Sequence, residues 1–154
     1  MSSDADLMKL YSARILSLAA EMPRTGRLPA PDASARKRSP LCGSTVTVDL
    51  SVAGGRVADY AQEVKACALG QAAAAVVGAV AVGLDRATLQ RGHDQLLAML
   101  KDGGPVPDAP FDGMEVLEPA RDYKNRHASI MLALQATLDA FDQASVAAQA
   151  PAPQ

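Results

Sequence analysis

The chain has 154 residues, a formal net charge of −2, two cysteines, two histidines and no Trp. That length suits one domain able to bury its core without disulfide staples, and the near-balanced charge excludes binding to nucleic acid by global electrostatic attraction. The start, MSSDADLMKL, carries acids and no apolar signal core, so the sequence reads as a cytoplasmic chain whose thiols serve metal or redox chemistry and not a disulfide framework.

Leu7, Tyr11, Ile15, Leu18 and Met22 recur on one helical face and predict a helix over residues 5–22, ended by Pro23. Residues 23–41, rich in Pro, Gly, Ser and Arg, read as a connector. Residues 44–52, STVTVDLSV, alternate: Val46, Val48, Leu50 and Val52 share one face of a half-buried strand. Ala53-Gly54-Gly55 supplies a short turn, and residues 56–64 return as the second strand of a hairpin.

The stretch from Ala66 to Leu84 has no charged residue and is long enough to cross a bilayer. Its Ala and Gly content and Gln71 point instead to a buried helix over 68–83, packed closely on its neighbours. Asp85 is placed to cap a further helix through Lys101, with Leu89, Leu96, Leu97 and Leu100 on its inner side. Residues 102–113 contain Gly and Pro and form a loop. A last helix over 122–143 has Ile130, Leu134, Leu138 and Phe141 on one face. Residues 143–154 lack a core pattern and are expected to be a disordered tail, which leaves 1–142 as a single domain.

The chemistry-bearing residues gather around the hairpin. Cys42 lies two residues before its first strand and Cys67 three residues after its second, and their midpoint is the Gly54-Gly55 turn. Residues equidistant from a hairpin turn lie opposite each other, so both thiols should emerge at the open end. Two buried core thiols, or a disulfide, are the structural alternative. Cys67 precedes a helix N-terminus, which favours thiolate. Arg36-Lys37-Arg38 lies shortly before Cys42, either as a solvated run or as basic company for an anionic site. His93 reads as a core-edge residue. His127 lies seven residues before Leu134, hence on the inner face of the last helix, and imidazole partners thiolate in mixed metal sites.

The segment SPLCGSTVTVDLSVAGGRVADYAQEVKACALGQAAAA resembles the IscU/NifU N-terminal family of iron–sulfur assembly scaffolds. Pro40, Cys42 and Gly43 match an Asn-Pro-x-Cys-Gly-Asp motif, Cys67 matches the second cysteine, and Met22 to Arg27 resemble an Asn-Pro-Arg-Asn-x-Gly segment. The resemblance, which runs over about residues 7–142, implies an α+β domain: a three-stranded antiparallel sheet with helices packed on one face and a C-terminal helix. The third strand is expected from part of 23–41. The resemblance also implies that a cysteine desulfurase delivers sulfur, that iron joins it at the thiols, and that the cluster passes to acceptor proteins. Ser44 stands where the motif has Asp. The third cysteine is missing, with His127 or Ala128 at its position, and EPARDYKNRH replaces a Leu-Pro-Pro-Val-Lys chaperone motif.

Three readings follow. The first is a non-enzymatic carrier of iron or a [2Fe–2S] cluster at Cys42, Cys67 and His127, working with a desulfurase and acceptor proteins as a monomer or weak homodimer, away from nucleic acid and membranes. The second is a zinc or iron site on the same residues that accepts sulfur. The third is a metal-free regulator of the assembly machinery.

Overall fold

The structure is a computed structural model and describes residues 11–149; the first part of the expected 5–22 helix and the end of the expected tail lie outside them. Helix α1 spans Ala13–Ala20, begins where the Ser12 hydroxyl accepts the Ile15 N–H, and buries Ile15. It ends before Pro23, as expected. The connector then runs along the free edge of the hairpin, where the Gln62 N–H donates to the Arg24 carbonyl and the Gly26 N–H to the Gln62 carbonyl.

Three antiparallel strands follow in the order β1 (Ala33–Arg38), β2 (Thr45–Ala53), β3 (Arg56–Lys65). The third strand expected from residues 23–41 is thus β1, and Arg36-Lys37-Arg38 belongs to this edge strand and not to a loop. Val46, Val48 and Leu50 of β2 and Tyr60 of β3 are buried on the face that meets the helices. Gly54 and Gly55 both take positive φ, as a two-residue hairpin turn requires.

The hairpin carries a β-bulge. Val52 pairs with Val57 but Ser51 pairs with Asp59, leaving Ala58 as the extra residue. Counting outwards from the turn assumes a regular ladder, so the opposition of Cys42 and Cys67 is displaced by one residue. Both still lie beyond the last pair, Thr45 with Lys65.

Helix α2 (Ala68–Val80) is buried from Leu69 to Gly78 except at the half-buried Gln71. Its small residues serve close approach: a Cβ on Gly78 would lie 2.5 Å from Gln62 Nε2. Among the described residues no helix is long and apolar enough to cross a membrane. Helix α3 (Arg86–Lys101) is capped by Asp85, whose carboxylate accepts the Thr88 N–H at 2.9 Å. A 3-10 helix over Asp112–Asp122 follows, absent from the sequence reading because its apolar residues fit neither period and Pro119 lies within it. Helix α4 (Lys124–Gln149) carries Ile130, Leu134, Leu138 and Phe141 inward, as expected, and also buries Met131, Leu132 and Ala133. It lies between the sheet and the other helices, with the Tyr60 hydroxyl 2.8 Å from Thr137 Oγ1. The helix continues beyond residue 143, so 143–149 are helical and not part of an unstructured tail.

Candidate functional site: two thiols joined through serines

Three elements meet at the open end of the hairpin. The first is the β1–β2 loop. The Ser39 N–H donates to the Ser44 carbonyl at 2.8 Å and the Gly43 N–H to the Ser39 carbonyl at 2.9 Å, a tight closure that Gly43 completes at φ 71°. That conformation favours glycine and turns Cys42 outward, where it is exposed. The second is the start of α2, where Cys67 occupies the N-cap position in an extended conformation and makes no side-chain capping bond. The third is α4, which brings Ser129 against α2. A Cβ on Gly70 would lie 2.6 Å from Ser129 Oγ, so glycine is what lets the two helices close.

A chain of short contacts joins the sulfurs. Cys42 Sγ is 3.3 Å from Ser39 Oγ and 3.1 Å from Ser44 Oγ. Ser129 Oγ donates to Ser44 Oγ at 3.1 Å and lies 3.6 Å from Cys67 Sγ. Ser39, Ser44 and Ser129 are all buried, so the hydroxyls are fixed beneath the exposed Cys42 and beside the half-buried Cys67. Hydrogen bonds from Ser39 and then Ser44 stabilise the thiolate and hold the Cys42 pKa down at about 7. A thiol with that pKa is about half ionised at neutral pH, and thiolate is the form that acts as nucleophile or metal donor. Both cysteines are free thiols.

His127 is buried but placed differently. Its Nε2 is 3.0 Å from each of the Ala120 and Arg121 carbonyl oxygens. Since both partners accept, Nε2 carries the hydrogen and is committed to the end of the 3-10 helix. The ring lines a cleft with Lys101, Arg121 and Lys124. The structure therefore brings Cys42 and Cys67 towards each other and does not bring His127 to them. Among the described residues no three His, Cys, Asp or Glu side chains are grouped to hold one metal ion. The serines were missed by sequence reasoning. Ser44 was noticed only as a substitute for Asp, and nothing local marks Ser129 as a neighbour of Cys67 across 62 residues. Of the basic run, Lys37 is paired with Asp139 on α4 at 2.7 Å, while Arg38 reaches over the loop, its Nη2 3.7 Å from where a Gly43 Cβ would stand.

The fold is an α+β domain: a three-stranded antiparallel sheet backed by helices, with two free thiols at the open end of its hairpin. No protein-family model matches the sequence, and no curated protein does. Solved structures do. The N-terminal part of a nitrogen-fixing NifU-like protein from Brucella abortus is 45% identical, with a TM-score of 0.89 over 92% of this chain and 98% of that one. The chain belongs to the NifU-like N-terminal family. The fold is shared more distantly by a protein described as an iron–sulfur cluster assembly scaffold for the SUF system of Fervidobacterium islandicum AW-1, 18% identical with a TM-score of 0.77 over 87% of this chain and 98% of that one. It is also shared by a hypothetical protein, 17% identical with a TM-score of 0.72 over 88% and 98%.

Proposed function

We propose that the protein is an iron–sulfur cluster assembly scaffold that binds iron or a [2Fe–2S] cluster as cargo through Cys42 and Cys67 and passes it to acceptor proteins, with a cysteine desulfurase as the source of sulfur. The observation that carries this reading is the convergence of the two thiols on the Ser44–Ser129 pair. Thiolates are the ordinary ligands of such clusters, and hydrogen bonds to the sulfurs tune their potentials. The buried hydroxyls can supply those bonds without ordering anything new. Exposure of Cys42 suits transfer, since cargo held at a loop tip can be reached by an acceptor.

The test is anaerobic reconstitution of Cys42→Ser and Cys67→Ser beside the parent chain. Each variant should lose the visible absorption of the cluster, while Cys42→Ser, at an exposed position, should change stability by no more than about 0.5 kcal/mol. Parent-like loading of both variants would move the site elsewhere.

A second reading draws on the accessible, readily ionised Cys42: a zinc-assisted acceptor of sulfane sulfur. It requires zinc in metal analysis of the purified protein and a persulfide on Cys42 after exposure to a desulfurase and cysteine. The cluster reading requires neither.

A further inference from the structure

We propose that the cleft between the end of α3 and the start of α4 binds a phosphate group, free or as a small phosphomonoester, through Lys101, Lys124 and His127. The cleft has a volume of about 540 Å³, and its titratable lining is Lys101, Arg121, Asp122, Lys124 and His127. Three cations thus face one carboxylate. Among the described residues none of those four ionised side chains is in an ion pair, so the positive charge of the cleft is left uncompensated. Lys124 is the clearest sign. It opens α4, where the helix end is itself positive, and the first turn of α4 holds no acidic residue. A lysine there destabilises the helix, and an anion bound beside it removes that cost.

The buried imidazole selects the anion. Its Nε2–H is held by the Ala120 and Arg121 carbonyls, while Nδ1 has no hydrogen-bond partner among the described residues, although His127 is only 5% exposed. The fully enclosed side-chain atom without a partner among those residues is Gln62 Oε1. Nδ1 is therefore not sealed, and the cleft is where the ring meets solvent. With the hydrogen on Nε2, the neutral ring presents a lone pair at Nδ1 and calls for a donor. A carboxylate or a sulfate is ionised at neutral pH and brings none. A phosphomonoester, with a second pKa of about 6, does. One proton then lies between Nδ1 and a phosphoryl oxygen, whichever of the two holds it, and Lys101 and Lys124 pair with the remaining oxygens. Arg121 donates from Nε to the Met99 carbonyl at 3.0 Å and from Nη2 to the Gly104 carbonyl at 3.3 Å, so it fixes the cleft wall and adds charge. The volume lies in the range of small-molecule sites, and Leu100 offers an apolar surface to the organic part of an ester. None of these groups touches the thiols, and the proposal stands apart from the scaffold reading.

The experiment is titration calorimetry of the metal-free full chain at fixed ionic strength with inorganic phosphate, adenosine monophosphate and sulfate, paired with nitrogen NMR of the histidine rings. The expected result is saturable binding of a phosphate compound, several-fold weaker binding of sulfate, and a shift of the His127 Nδ1 signal. His93, whose Nδ1 lies 3.0 Å from Asp94 Oδ1, should not respond. Tighter binding of the nucleotide assigns the site to an ester, and equal binding assigns it to phosphate itself. Lys101→Gln and Lys124→Gln should each weaken binding about tenfold, and Lys124→Gln should not lower the melting temperature of the ligand-free protein. No binding of either phosphate compound, or parent-like binding by both lysine variants, would overturn the proposal. Sulfate binding as tight as phosphate, with an unmoved His127 signal, would reduce the cleft to a patch of cations and overturn the choice of anion.

Discussion

Two polar clusters are built on or beside β2, and they differ in whether their charged group is finished. Asp49, only 1% exposed, accepts from Arg27 Nε at 2.7 Å, Arg27 Nη2 at 2.9 Å and the Leu28 N–H at 3.1 Å, and also from the Ser34 hydroxyl. Every lone-pair direction of that carboxylate is used, and the cluster pins the connector after α1 to the outer face of the sheet. Cys42 is also hydrogen-bonded to serines, its thiol donating to Ser39 Oγ and lying 3.1 Å from Ser44 Oγ, but the residue is exposed. Saturation makes the first cluster a clamp. Openness leaves the second with coordination capacity that the fold itself does not use.

The strongest way to sharpen that contrast is Asp49→Ala. Arg27 is half exposed and recovers some hydration, so the loss should be about 2–3 kcal/mol, from the range for hydrogen bonds to charged groups. Urea denaturation measures it, and cluster loading per folded chain should not change. The Arg27 hydrogen bond holds the Asp49 pKa below its usual value of 3.8, against the opposing effect of burial. A carboxyl depressed in the folded state adds stability that is present above the unfolded pKa and is lost as pH falls below it. The acid limb of the parent's stability profile should therefore weaken in the variant. If Asp49→Ala were neutral and cluster loading fell, the clamp and the site would be one unit, and the contrast would fail.

His127 tests the same division inside the helical layer. His127→Ala should cost about 1–2 kcal/mol for the lost hydrogen bond and the space left behind, with cluster content unchanged. If His127→Ala lost the cluster and His127→Cys restored it, the ring would have to leave the carbonyls and act as a ligand.

Readability from sequence follows the range of the interactions. Strict alternation over residues 44–52 and the Gly54-Gly55 turn determine the hairpin because period and turn chemistry are local. Asp85 announces α3 for the same reason. The small residues of α2 indicate a buried helix, but not that Gly70 exists to admit Ser129. The Ala58 bulge leaves no mark in the alternation and displaces the count that paired the cysteines. Ser129 and Ser44 come together across 85 residues through the docking of α4 on the sheet, which no local signal reports. His127 shows the limit of facing arguments. Sharing an inner face with Leu134 does bury it, but the 3-10 helix that takes its Nε2 was not visible in the sequence.

The finest test acts on a single proton. Ser44 touches both Cys42 and Ser129, and its hydroxyl and backbone both lower the Cys42 pKa, after the larger effect of Ser39. Ser44→Ala removes only the hydroxyl, so the pKa should rise from about 7 part of the way towards the ordinary value of 9.0. Thiolate is the reactive form. Alkylation at Cys42, followed against pH in a Cys67→Ser background, should be half-maximal near pH 7 with Ser44 present and at higher pH without it. The two proteins should react alike once both thiols are fully ionised. Linkage gives a second readout with a defined sign. Between the folded value of about 7 and the unfolded value near 9.0 the unfolded chain holds more protons on this thiol, so stability rises with pH across that window, and the rise should shrink in Ser44→Ala. An unchanged alkylation midpoint would mean that Ser39 alone sets the thiolate, and that the Ser44–Ser129 link spaces the two sulfurs without tuning either.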